Sequence, residues 1–276
     1  MNMDKSKYTR NNFHSSLLKQ IIIRVDFSNI TDLNKFILTI KSTDWIRECF
    51  QSYRTIQANN FNMNLNPKVF EDKVIPLSVI ETATIHRFYE CKIEPVQSDV
   101  TLDITDTFIS ITIHCNDTYK SINPYIDCIS NIVGELFTYD PFTQIQRIAI
   151  RKIDGQDFEN EDAVYEVFEK DKSANSTLIE GHARLIKKSY TDAYLDTHAN
   201  IKINLSRSME VLLENKYRYV LDIDGYIDTS LNILNNCRDK QDIQDILQSR
   251  INEHLFCIFK DNVTKGYLDS GIKDHE

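Results

Sequence analysis

Apolar residues recur at every second position in stretch after stretch of this chain, and that period of two confines it to a fold rich in half-buried strands. Leu17 to Phe27 (LLKQIIIRVDF) is dense in β-branched residues and reads as a strand. Between Ile85 and Cys115 come three extended segments, IHRFYECKI, VTLDI and FISITIHC. Their alternation is that of an antiparallel sheet with one face on a core. Residues 144–153 (QIQRIAIRKI) form another strand, which Asp154-Gly155 ends. Tyr217 to Ile227 (YRYVLDIDGYI) is the strongest strand of the second half, where weaker extended segments lie around 181–190, 193–205 and 209–214. Residues 51–64 alternate only weakly and fit either a strand or a loop.

The period switches to that of a helix in three places. Ile30 to Arg47 has Leu33, Phe36, Ile37 and Ile40 on one side, with Thr31 or Ser28 as its cap. Asn123 to Tyr139 carries a continuous apolar stripe (Tyr125, Ile126, Ile129, Val133, Leu136, Phe137), with Pro124 in the first turn and Asp140-Pro141 as its stop. Asp239 to Val263 repeats the pattern, and Asp239 and Asp242 suit the positive end of its dipole. The reading that follows is an α+β chain of two halves, each made of antiparallel strands packed on one long amphipathic helix, as if by internal duplication. The expected division is an N-terminal half at 1–158, an acidic and then polar linker at 159–176, and a C-terminal half at 177–276.

Composition narrows the function. With 41% hydrophobic and 26% charged residues the chain can bury a sizeable core. A net charge of -9 repels phosphate backbones over most of the surface, which leaves only a local basic patch for nucleic acid. Only 6 glycines are present, and no GxGxxG, P-loop or GxSxG motif occurs, which counts against nucleotide-cradling enzymes and α/β-hydrolases. The polar start, Met1 to Ser16, lacks an export signal and no apolar run reaches membrane-spanning length, so a cytoplasmic chain without membrane contact is expected. Cys49, Cys91, Cys115, Cys128, Cys237 and Cys257 form no CxxC and read as reduced thiols in apolar runs.

Few residues carry a chemical signal. Val220-Leu221-Asp222-Ile223-Asp224-Gly225 resembles the nucleophile motif of haloacid-dehalogenase-type phosphatases, in which one Asp attacks phosphorus, the next is the acid/base and Mg²⁺ neutralises charge. Tyr226-Ile227 departs from the residues that follow there, and about fifty residues remain, too few for the parallel units such a fold needs. The simpler reading places Asp222 and Asp224 on the solvated or ion-paired face of a strand, with Leu221, Ile223 and Ile227 on the other. His114, His182, His198 and His254 stand in no metal-ligand spacing, so no metal site is expected from them. Arg147 and Arg151 share a strand face and, with Arg24, form a candidate phosphate- or partner-binding patch, against which stands ion pairing with the many carboxylates. Arg184, Lys187 and Lys188 make a smaller basic spot.

Three of these segments together resemble one family. The early strand with RVDF (Arg24 to Phe27), RIAIRKID (Arg147 to Asp154) and the late Leu221-to-Tyr226 strand are similar to a sporadically distributed family of uncharacterised prokaryotic proteins of about this length. Lys152 and Asp154 replace the Tyr and Asn of that family's middle motif. The resemblance brings no activity with it; the patchy distribution implies an antiviral defence or related conflict system.

Three functions are carried forward. The first is a non-catalytic interaction or regulatory subunit that needs no cofactor and acts on a protein encoded nearby or on its own copies. The alternative is an Mg-dependent phosphoryl-transfer enzyme, with Asp222 and Asp224 on the metal and Arg147 and Arg151 on phosphate. The third is a nucleic-acid sensor that uses a basic strand face.

Overall fold

The structure, a computed structural model, describes residues 7–8, 17–61, 80–90, 98–116, 119–170 and 187–271. Nine strands form one antiparallel sheet. They are β1 (Leu18–Phe27), β2 (Ser52–Phe61), β3 (Ile80–Tyr89), β4 (Val100–Ile104), β5 (Phe108–His114), β6 (Ile145–Phe158), β7 (Lys187–Asp196), β8 (Ile201–Val211) and β9 (Tyr217–Asp228), in the spatial order β2-β3-β4-β5-β1-β6-β9-β8-β7.

This overturns the expected α+β arrangement of two halves, each with its own strands and long helix. β6 is the reason. It is 14 residues long and pairs along one edge with β1 and along the other with β9, from Arg147 opposite Asp228 to Phe158 opposite Tyr217. An unpaired edge of that length would leave a row of backbone donors and acceptors open, so the two sets of strands join into one sheet. A duplicated pair of sheets is therefore absent among the described residues. Periodicity along the chain reports which side chains are half-buried, but not which strand edges meet.

Of the expected helices, the first is broken, while the second keeps its expected bounds. Thr43, with extended backbone, splits the first into α1 (Leu33–Ser42) and α2 (Asp44–Cys49). α3 (Asn123–Tyr139) has 17 residues and buries Ile126, Ile129, Ile132, Val133 and Leu136 as one stripe. Among the described residues only 240–262 make a helical run of 23, built from α5 (Lys240–Asp245), a π-helical stretch (Ile246–Asn252) and α6 (Glu253–Asn262). Asp239 and Asp242 close a reciprocal capping box at its start. The short α4 (Glu161–Val167) and α7 (Lys265–Ser270) complete the set, joined by a bridge between Phe168 and Val263.

The helices gather on one face of the sheet. Ile21, Ile23, Val25 and Phe27 of β1, Ile148 and Ile150 of β6, and Leu221, Ile223 and Ile227 of β9 are all buried against them. Each such side chain contributes roughly 1.5–3 kcal/mol relative to exposure. Gly225 lies on this face, where a Cβ would sit 2.6 Å from Leu255 Cδ2 and 3.4 Å from Ile251 Cγ2. The long helix thus rests directly on bare backbone. β6 does not end at Asp154-Gly155 but continues to Phe158, because Asp154 pairs with Leu221 and Gly155 with Val220. The extended segments of the second half also regroup, with β7 and β8 separated by a turn at 197–200.

Candidate functional site

The face opposite the helices collects the residues that the sequence singled out. Alternation sends Arg24 and Asp26 of β1, Arg147 and Arg151 of β6, and Asp222, Asp224, Tyr226 and Asp228 of β9 to this side. The register then aligns them in rows. Arg24, Ala149, Tyr226 and Lys202 stand side by side across β1, β6, β9 and β8; Asp26, Arg147 and Asp228 form the next row, and Ile22, Arg151, Asp224 and Asn204 the one on the other side.

Within the rows the charges pair diagonally. Arg151 grips Asp222 with two donors, Nε at 2.8 Å. Arg147 reaches past Tyr226 to Asp224 at 2.9 Å, its guanidinium 4.7 Å from that ring, and lies 3.7 Å from Asp26. Arg24 bonds Asp26 from Nε at 2.8 Å and stacks on Phe108 at 3.9 Å. Lys202 holds Asp228 at 2.7 Å, and Arg87 on β3 grips Asp103 on β4 with both bonds at 2.6 Å. These five cations thus meet five carboxylates, and Arg218 of β9 meets Asp157 of β6 further along the same face, whose side chains still reach water: Arg24 is 39% and Arg151 47% exposed.

The electrostatics follow from these contacts. The bond to Asp222 raises the Arg151 pKa, and the bond to Asp103 does the same for Arg87. Burial pushes the Asp224 carboxyl up despite Arg147, Asn204 and Arg151 beside it. On Asp228, burial is opposed by Lys202 and Ser230, and the net effect is a lowered pKa.

Arg24, Arg147, Arg151, Asp222 and Asp224 therefore do come together, but as ion pairs in which each arginine is already engaged by a carboxylate. Among the described residues no group of three or more His, Cys, Asp or Glu side chains is placed to hold a metal ion. The histidines scatter: His114 ends β5 exposed, His198 lies in the turn after β7, and His254 Nε2 is 3.2 Å from Asp196. His182, Arg184 and Cys91 lie outside the described residues. Lys187 and Lys188 open β7 at the sheet edge.

The sequence alone assigns no site role to Asp26, Asp103, Lys202, Phe108 or Tyr226, and Asp103, which it places at a turn or edge, lies inside β4. The signal was there as charged residues two apart on strands, such as Arg24 with Asp26, but their partners lie on strands distant in sequence. The helix-facing side holds a second surprise. Lys152 and Asp154 are both buried there. Lys152 Nζ donates to Asn252 Oδ1 at 2.8 Å, at the end of the π-helical stretch. Burial, only partly offset by Lys152 and Lys19, pushes the Asp154 carboxyl up to about 7. On β3, His86 is also buried, its Nδ1 2.6 Å from the Tyr53 hydroxyl, and burial and then Lys41 lower its pKa.

No family model matches the chain, and no curated protein matches it. No helix among the described residues is long and apolar enough to cross a membrane.

Proposed function

We propose that the chain is a non-catalytic interaction subunit whose open sheet face binds another polypeptide. The observation that carries this reading is the pairing at the middle of that face: Arg24, Arg87, Arg147, Arg151 and Lys202 are each bonded to a carboxylate, in a chain of net charge -9. A nucleic-acid surface needs cations in excess, because affinity comes from displacing counterions from phosphates. A balanced face of ion pairs and aromatic rings instead suits a protein partner, whose own polar groups can join the network without a large net field. Arginines and tyrosine at its centre are residue types that concentrate binding energy. Similarity to the sporadically distributed prokaryotic family supports placing this subunit in an antiviral conflict system, beside a partner encoded nearby.

The experiment is affinity purification of the tagged chain from its native host, followed by mass spectrometry, with three variants. Thr112→Arg and Asn204→Arg add charge to the open face, while Ser249→Arg does so on the helical side. The expected result is one protein, in fixed ratio, retained by the wild type and Ser249→Arg and lost from the two face variants. Equal retention by all variants, or recovery of RNA or DNA that is released by salt, would overturn the proposal.

A further inference from the structure

Away from the ion-paired face, a cavity of about 240 Å³ opens on the helical side at the β7 end of the sheet. Its floor is Met209 and Tyr219, both nearly buried, and Tyr219 stacks on the fully buried Phe168 at 4.1 Å between centroids. Tyr165 of α4 and Tyr190 of β7 form its walls. Lys170 and Lys188 stand at the rim, with Glu161 and Glu169. The roof is fixed to the rest of the fold, because Glu169 N–H donates to the Asn262 carbonyl at 3.0 Å and Thr264 N–H to the Val167 carbonyl at 2.8 Å.

The two lysines differ from the cations of the open face. Lys170 Nζ lies 4.6 Å from the centre of the Tyr165 ring, and Lys188 Nζ 5.1 Å from that of Tyr190. Among the described residues, neither is bonded to a carboxylate, although the chain has carboxylates in excess. Glu161 instead accepts from the Tyr165 hydroxyl at 3.3 Å. Both ammonium groups thus keep their N–H donors for an anion while the tyrosines below them offer flat π-faces.

We infer that this cavity is a binding site for a small anion that carries a planar ring, with the ring between the tyrosines and its phosphate or carboxylate between Lys170 and Lys188. Size limits the ligand further. Sites for drug-sized molecules occupy roughly 300–1,000 Å³, so this one takes a small ligand, from a single-ring aryl anion up to a mononucleotide. The site is separate from the open face, and either can fail without the other.

The test is calorimetric titration of the full chain with phenyl phosphate, benzoate and adenosine 5′-monophosphate, with adenosine and inorganic phosphate as controls. At least one ringed anion is expected to bind saturably with a micromolar to millimolar Kd, and its identity distinguishes nucleotide from simple aryl anion. Lys170→Gln and Lys188→Gln, both at the rim and harmless to folding, each weaken it about tenfold, the worth of one charge-assisted contact. Tyr190→Leu weakens it while leaving the circular dichroism spectrum unchanged. Absence of saturable binding by all three anions would refute the inference, as would adenosine binding as well as its phosphate, inorganic phosphate binding as well as the ringed anions, or indifference to both lysine substitutions.

Discussion

Gly225→Ala is the smallest substitution that tests how the long helix sits on the sheet. The added methyl would lie 2.6 Å from Leu255 Cδ2 and 3.3 Å from its Cγ. Carbon atoms in contact settle near 3.5–4.0 Å, so about 1 Å of movement is needed. Leu255 has nowhere to go: it is fully buried, and Ile251 Cγ2 stands 3.4 Å from the same methyl. The helix must therefore lift, at an overpacking cost of about 1–3 kcal/mol. Removing the obstruction tests the cause. Leu255→Ala alone should cost about 2–5 kcal/mol through its cavity. In the double variant the new methyl fills part of that cavity, so its cost should fall short of the sum of the two single costs by about 1 kcal/mol or more. Urea unfolding followed by circular dichroism, on the wild type, both single variants and the double, reads all four values. A Gly225→Ala variant as stable as the wild type, or costs that simply add, would refute direct seating of the helix on β9.

Further outcomes follow from the buried and paired groups. The Asp154 carboxyl, raised from 3.8 to about 7 by burial, keeps its proton in the folded state after the unfolded chain has lost it. Stability should therefore fall as pH rises from about 4 to about 7, by up to ~1.4 kcal/mol per unit, and level off above; in Asp154→Asn, denaturation midpoints across that range should lose this slope. Burial pushes the thiols of Cys115 and Cys237 up to about 12 and raises that of Cys128 as well, whereas Cys257 is exposed. Iodoacetamide at mildly alkaline pH should thus modify Cys257 before Cys128 and Cys237, which are spared until the chain unfolds, as read by peptide mapping. Arg151→Ala, which frees a half-exposed pair, should cost about 1 kcal/mol or less; Arg87→Ala strands the nearly buried Asp103 and should cost about 2–4 kcal/mol, and the reverse order in urea titrations would contradict the geometry. Because Asp222 and Asp224 are each held by an arginine, millimolar Mg²⁺ should leave the thermal midpoint unmoved; a rise that disappears in Asp222→Asn would restore the phosphoryl-transfer reading.

What the sequence made legible was the facing of residues, not their company. Period-two alternation placed Asp222 and Asp224 together on one side of a strand, and placed Arg147 with Arg151, as the structure has them. It did not show that β6 lies between β1 and β9, since register between strands so far apart in sequence leaves no local trace. The fold was misjudged as two halves for the same reason. Asp154-Gly155 reads as a strand end in the sequence, yet the strand continues and buries Asp154.

The Asp-x-Asp-Gly segment shows why a short motif misleads when a strand serves two surfaces at once. Its even positions (Asp222, Asp224, Tyr226, Asp228) belong to the ion-paired face, and its odd positions (Leu221, Ile223, Gly225, Ile227) to the helical core. The glycine that makes the segment look like a phosphatase loop is there because Leu255 and Ile251 leave no room for a Cβ. The carboxylates that look like metal ligands are set by the arginines across the β6–β9 ladder. Two independent packing demands, interleaved at a spacing of one residue, thus produce a string that resembles a catalytic signature. What separates the two origins is the company of the carboxylates: a metal site would need further oxygen or nitrogen ligands to converge on them, whereas on β6 Arg151 and Ile153 stand opposite Asp224 and Asp222, and Arg147 and Arg151 bond the two carboxylates.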